Sequence, residues 1–296
     1  MKASDHIRIT AEAIRQFVKY SQSAVVPFLL QYSSLIQKGS EDADISPIYT
    51  RATNWHFYNR NLDRDILQEP IWSFMEPLTL HLSSDHILKK RCEQLTDEIE
   101  KKSTKDACNL TGRILHHIQD MSCPSHVVPV YHGPLIADSF ESYLSDVFLS
   151  DSKNISDIAE ELEQDAKSLA VSPDIDILGL YQDSAEITLK FLQPENSTCQ
   201  VKRNGKGIEL PWNYFWADKN TKYLNGYPSA CKFGGFGTFG PLGKNFGTTE
   251  EFSIGDDTYV IQKDVYDAFC HQLVKDMLKN SIKALFLIEN DLKKLC

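Results

Sequence analysis

Side chains able to bind metal or move protons crowd into one stretch, Leu115-His116-His117-Ile118-Gln119-Asp120-Met121-Ser122-Cys123-Pro124-Ser125-His126. Upstream of it, Ala107, Leu110, Ile114, Ile118 and Met121 recur at helical spacing and define a core face. His116 and Asp120 are four residues apart, so they project together from the opposite face, with Gly112 one turn earlier expected to leave open space beside them. Pro124 ends the helix, and His126 arrives on the turned chain, where it can face the same space from a second direction. Convergent imidazole and carboxylate groups of this kind suit zinc better than magnesium or calcium, which prefer all-oxygen shells. A His and Asp at this spacing also occur as a solvated polar face or a local hydrogen bond, so the pair alone does not decide.

The longer pattern does more. Gly-x-x-Leu-His-x-x-x-Asp-x-x-x-Pro-x-His resembles the core signature of zinc-dependent phospholipase C and of the single-strand-specific zinc nucleases that share its fold. The resemblance covers roughly residues 4–149. It extends to His6 in His-Ile-Arg-Ile-Thr-Ala, to His56 in Asn-Trp-His-Phe-Tyr, and to Gly39-Ser-Glu-Asp42, with Asp44 as a competitor for Asp42. Further on, Ser139-Phe-Glu141-Ser-Tyr143 looks like the segment that supplies a ligand acid, Glu141, with Asp138 as its competitor. His132 is the histidine available to accompany it, although it lies nine residues before Glu141, whereas some relatives place the two four apart.

The resemblance implies a zinc held by Asp42, His56, His116 and Asp120, a second held by His126, His132 and Glu141, and a third held by Asp120 and His6. It implies two or three Zn2+ ions, with Asp42 also orienting or deprotonating the attacking water. Relatives complete the third site with an N-terminal tryptophan, where this chain has Met1 five residues before His6. His117 reads as a hydrogen-bonded core histidine, and His81, His86 and His271 match no position of the family and read as structural.

The implied activity is hydrolysis of a phospholipid such as phosphatidylcholine to diacylglycerol and a phosphorylated headgroup. The Leu-His-x-x-Gln-Asp-Met and Ser-x-Phe-Glu-x-Tyr wording is closer to the bacterial phospholipases C than to the nucleases. A zinc nuclease or phosphomonoesterase on the same scaffold, and a zinc-stabilised binding protein without turnover, are the rivals. Trp212, Tyr214, Phe215 and Trp216, then Tyr223, Tyr227, Phe233, Phe236 and Phe239, concentrate aromatics in one region. They suit a lipid headgroup layer, stacked bases, or simple packing of that region onto the rest.

The elements that must position these residues are mostly helical. Apolar spacing predicts a helix from Asp5, as N-cap, to Gln37, a loop over 39–65, and amphipathic segments over 83–101 and 104–121. Further helices are expected over 136–149, 155–169, 175–192 and 262–292, the last with a buried stripe of Val265, Phe269, Leu273, Met277, Ile282, Leu285 and Ile288. Between about 193 and 260 glycine, asparagine and aromatics alternate without helical period, which reads as one irregular, partly β insertion. The expectation is therefore a single all-α domain over 1–296, a multi-helix bundle carrying that insertion.

Composition bounds the rest. A net charge of -10 opposes a stable nucleic-acid partner, and no apolar run reaches the ~20 residues of a membrane span. The seven cysteines include no C-x-x-C pair, and Cys199 with Cys231 is the one pairing the spacing suggests. A phospholipid substrate implies peripheral membrane contact and a secreted or exported monomer, although the N-terminus has no apolar run of signal-peptide length.

Overall fold

Two glycines set the closest helix crossing. A Cβ on Gly112 would overlap the backbone of Ile36 and Ser40, and one on Gly39 would overlap the backbone of Asn109. The helices α2 (Val25–Ile45) and α4 (Thr104–Asp120) therefore meet backbone to backbone, and they form the most extensive helix pairing of the fold. Gly112 is thus filled by α2 and does not open a space beside His116, contrary to the expectation from the helix face alone.

The computed structural model describes residues 1–45, 56–58, 84–128, 130, 132, 137–217 and 237–296. Among them, helices dominate, with a small four-stranded antiparallel sheet. α1 (Ala3–Tyr20) precedes α2, and α3 (Ser84–Glu100) precedes α4. Short helices α5 (Pro124–Val127) and α6 (Ser139–Tyr143) follow, the latter running into a π turn at Leu144–Phe148. Then come α7 (Ser152–Gln164), α8 (Ile177–Phe191) and the long α9 (Lys263–Leu292), which packs on α1, α4, α7 and α8. The predicted stripe on α9 lies in the core from Phe269 to Ile288.

The first predicted helix is in fact two. Ser21 Oγ accepts from the Ser23 amide and Ser23 Oγ from the Val25 amide, and these local bonds compete with helix continuation. The second helix then runs on to Ile45, through the stretch expected to be loop from Gly39. The first helix starts earlier than expected, at Ala3, and Asp5 sits in its first turn, accepting from the Lys2 amide at 3.2 Å.

The sheet has the order β2-β1-β6-β5, built from β1 (Thr198–Arg203), β2 (Lys206–Pro211), β5 (Glu251–Ile254) and β6 (Asp257–Val260), all antiparallel. β1 and β2 are joined at Asn204-Gly205, both with positive φ (52° and 76°), the geometry a tight hairpin requires. A second, separate antiparallel pair joins β3 (Trp216–Ala217) to β4 (Thr238–Phe239).

Aromatic residues join this region to the bundle. Trp212, Phe215, Trp216, Phe239 and Phe246 are buried. Trp216 stacks on Phe269 of α9 at 5.7 Å and meets Phe140 of α6 edge-on at 5.5 Å. These side chains are core and do not form an exposed lipid-facing patch; Tyr223, Tyr227, Phe233 and Phe236 lie outside the described residues. So does Cys231, and with it the suggested pairing to the buried Cys199. No helix among the described residues is long and apolar enough to cross a membrane.

The crossing predicts its own test. Gly112→Ala should destabilise the chain by about 1–3 kcal/mol, the usual cost of overpacking, because backbone cannot rotate out of the way. Urea unfolding monitored by circular dichroism measures it; an unchanged midpoint would show that α2 and α4 do not meet this closely.

Candidate metal centre

Four segments present histidines to Asp120, the last residue of α4, whose carboxylate is almost entirely buried. α1 brings His6, with Nε2 3.5 Å from Asp120 Oδ1. α4 itself brings His116, with Nε2 3.2 Å from Asp120 Oδ2, and residues 56–58 bring His56, with Nδ1 2.5 Å from the same oxygen. His126, on α5, lies 3.8 Å from that oxygen on its Nδ1 side, while its Nε2 is 3.0 Å from Glu141 Oε1. His132 Nε2 is 3.3 Å from Glu141, and the Met1 amino group 2.6 Å from it. Among the described residues, four groups of three could each hold a metal ion: His6, His116 and Asp120; His56, His117 and Asp120; Asp120, Cys123 and His126; and His126, His132 and Glu141.

The hydrogen-bond partners on the outer side of the rings give the arrangement its direction. His6 Nδ1 donates to Gln119 Oε1 (2.7 Å), His116 Nδ1 to the Ser40 carbonyl (2.9 Å), His126 Nδ1 to the His56 carbonyl (3.0 Å) and His132 Nδ1 to the Val130 carbonyl (2.8 Å). A carbonyl oxygen can only accept, so each Nδ1 carries a proton and each Nε2 faces inward, towards Asp120 or Glu141. That is the habit of metal-binding histidine. Asp120 Oδ1 is buried with no hydrogen-bond partner among the described residues, an orphaned anionic oxygen that a cation would satisfy. The donor set thus fits a divalent ion of the zinc type.

The fold explains these contacts locally. The Gly39–Gly112 crossing carries the Ser40 carbonyl up to His116. Gln119 is locked because its Nε2 donates to Thr10 Oγ1 (3.0 Å) and Ser281 Oγ (3.2 Å), which leaves Oε1 to face His6. His126 and His56 are zipped together, the Tyr58 amide donating back to the His126 carbonyl at 3.0 Å. α6 is capped by Asp138, which accepts from the Phe140 amide (3.0 Å) and faces Trp216 Nε1 (3.4 Å), so the buried aromatic cluster supports the helix that presents Glu141.

Electrostatics follow the same plan. Burial alone would push the Asp120 carboxyl up, but the surrounding His116, His126 and His56 hold it well below the usual carboxylate range. Glu141 is likewise held well down against its burial, by the Met1 amine and His132, while burial beside Glu141 pushes the capping Asp138 up. Burial works against protonation of His132, yet the charge and hydrogen bond of Glu141 raise it to about 9. Arg91, pushed down to about 9 by burial, donates from Nη1 to His117 Nε2 at 2.5 Å.

Of the sequence-predicted site residues, His6, His56, His116, Asp120, His126, His132 and Glu141 are brought together. Asp42 is not brought into the four groups: its carboxylate faces Lys38 Nζ at 3.1 Å and accepts from Asn109 Nδ2 at 3.0 Å. The side chain of Asp44 lies outside the described residues, as does His81. Asp138 serves as a cap. His117 is the buried, hydrogen-bonded histidine expected, although it also borders His56 and Asp120. His271 pairs with Glu161 at 2.9 Å. Sequence reasoning missed Cys123, Gln119, Thr10, Ser281 and Arg91. They lie on four different helices and in the turn after α4, so spacing within any one helix does not reveal them.

No protein-family model, curated protein or solved structure matches the chain.

Gln119→Leu should keep the fold but weaken metal binding ~10–100-fold, the usual cost of losing an outer hydrogen bond to a ligand histidine. Competition against a chromogenic chelator measures it; unchanged affinity would mean that His6 does not ligate.

Proposed function

We propose that the chain is a zinc-dependent phosphodiester hydrolase of the phospholipase C kind. The observation that carries the reading is the shared orientation of His6, His116, His126 and His132, each with Nδ1 committed to an oxygen acceptor and Nε2 turned towards the carboxylate of Asp120 or Glu141. The sequence pattern from Leu115 to His126 then supplies the reaction class. Zinc bound there supplies Lewis acidity towards phosphoryl oxygens and lowers the pKa of a coordinated water towards ~7.

The chain's own residues do the rest. Asp120 presents one oxygen to His6 and the other to His56 and His116, so it can serve two metal positions at once. His6 and His116, with side chains 1% and 0% exposed, form the floor. His56, His132 and Glu141, at 19%, 13% and 17%, form the accessible edge, and a diester phosphate would approach there. A carboxylate-poor edge flanked by imidazoles tolerates the charge of a phosphate once cations are bound.

A phospholipid as substrate is supported by the wording around His116 and Glu141, and implies work at a membrane surface by an exported chain. Zinc-loaded protein assayed against phosphatidylcholine vesicles, single-stranded DNA and a soluble phosphomonoester separates the readings. Release of phosphorylated headgroup is expected; cleavage of DNA or of the monoester alone would assign it to the nuclease or phosphomonoesterase reading, and bound zinc without turnover would make it a binding protein. His126→Ala should lower both zinc affinity and turnover by more than the ~100-fold ceiling of outer-contact losses. A fully active variant would overturn the mechanism.

A further inference from the structure

Cys123 stands between two ligands, at Asp120-x-x-Cys123-x-x-His126. At this point the backbone tightens from α-helical to i→i+3 bonding: the Ser122 amide donates to Gln119 (3.1 Å), Cys123 to Asp120 (2.9 Å) and His126 to Cys123 (3.0 Å). Cys123 itself has extended backbone (φ -95°, ψ 119°) and caps the short helix α5. The turn after α4 carries a carboxylate, a thiol and an imidazole at three-residue spacing. All three are buried, and one ligand atom from each lies within 4.8 Å of the others. Of the two Asp120 oxygens, Oδ2 lies 3.8 Å from His126 Nδ1, while Oδ1 faces His6.

We propose that Cys123 is a metal ligand, its thiolate completing a coordination sphere with Asp120 and His126. This rests on the reading of the clusters as a metal centre. On binding, the Cys123 S–H bond breaks, a sulfur–metal bond forms and the proton leaves to solvent; a coordinating thiol is deprotonated outright. One sulfur among nitrogen and oxygen donors biases the site towards borderline and soft divalent ions such as zinc or cadmium and away from magnesium and manganese.

The test is titration of metal-free full-length protein with Co2+, followed by absorption spectroscopy. Wild type should show both visible d–d bands and a near-ultraviolet sulfur-to-cobalt charge-transfer band, and Cys123→Ser should keep the first and lose the second. Visible bands without the charge-transfer band in wild type, or a charge-transfer band that survives in Cys123→Ser, would overturn the assignment of Cys123 while leaving the metal centre standing. Absence of both bands in wild type would overturn the metal centre itself and this ligand with it. X-ray absorption on zinc-loaded wild type needs no variant: a Zn–S shell at ~2.3 Å is expected, and a shell of nitrogen and oxygen at ~2.0–2.1 Å alone would overturn the proposal.

Discussion

A carboxylate sealed from water is the constraint that organises this molecule. Asp120 is 1% exposed, and an unpaired buried charge costs several kcal/mol. Its neighbours resolve that cost by turning imidazole nitrogens towards it from α1, α4, α5 and the stretch at His56. With protons on those nitrogens the cluster is a set of buried ion pairs; with a divalent cation among them it is a coordination site. Either way positive charge must gather around one anion, and the helices that carry the histidines are held to that point.

Two features of packing make the gathering exact enough to matter. The Gly39–Gly112 crossing brings α2 so near α4 that a main-chain carbonyl can take the proton of His116. The polar chain Thr10, Gln119 and Ser281 ties α1, α4 and α9 at the level of His6. Both fix ring orientation by hydrogen bonds from outside the cluster, so that the inner nitrogens arrive already aimed.

Much of this was legible in the sequence, for a physical reason. The i, i+4 spacing of His116 and Asp120 and the proline before His126 are local features, and local geometry is what spacing encodes. The stripe on α9 and the helical share of the fold were legible for the same reason. The role of Gly112 was misread because its neighbour is 73 residues away in α2, and a close approach looks like open space when only one helix is considered. The break at Ser21 was hidden by apolar spacing that continues across it. Aromatics from Trp212 to Trp216 read equally as a surface or as packing, and only their burial against Phe140 and Phe269 decides between the two.

That aromatic wedge has a thermodynamic corollary. Glu141 sits on a helix of five residues, far too short to hold itself together, and its supports are the Asp138 cap and the ring of Trp216. Local unfolding of the β region would release the glutamate, and any cation gripped by Glu141 would by mass action oppose that unfolding. Such a cation would make the β3–β4 pair and the cluster around Glu141 a single cooperative unit, in which occupancy at one end is felt as rigidity at the other.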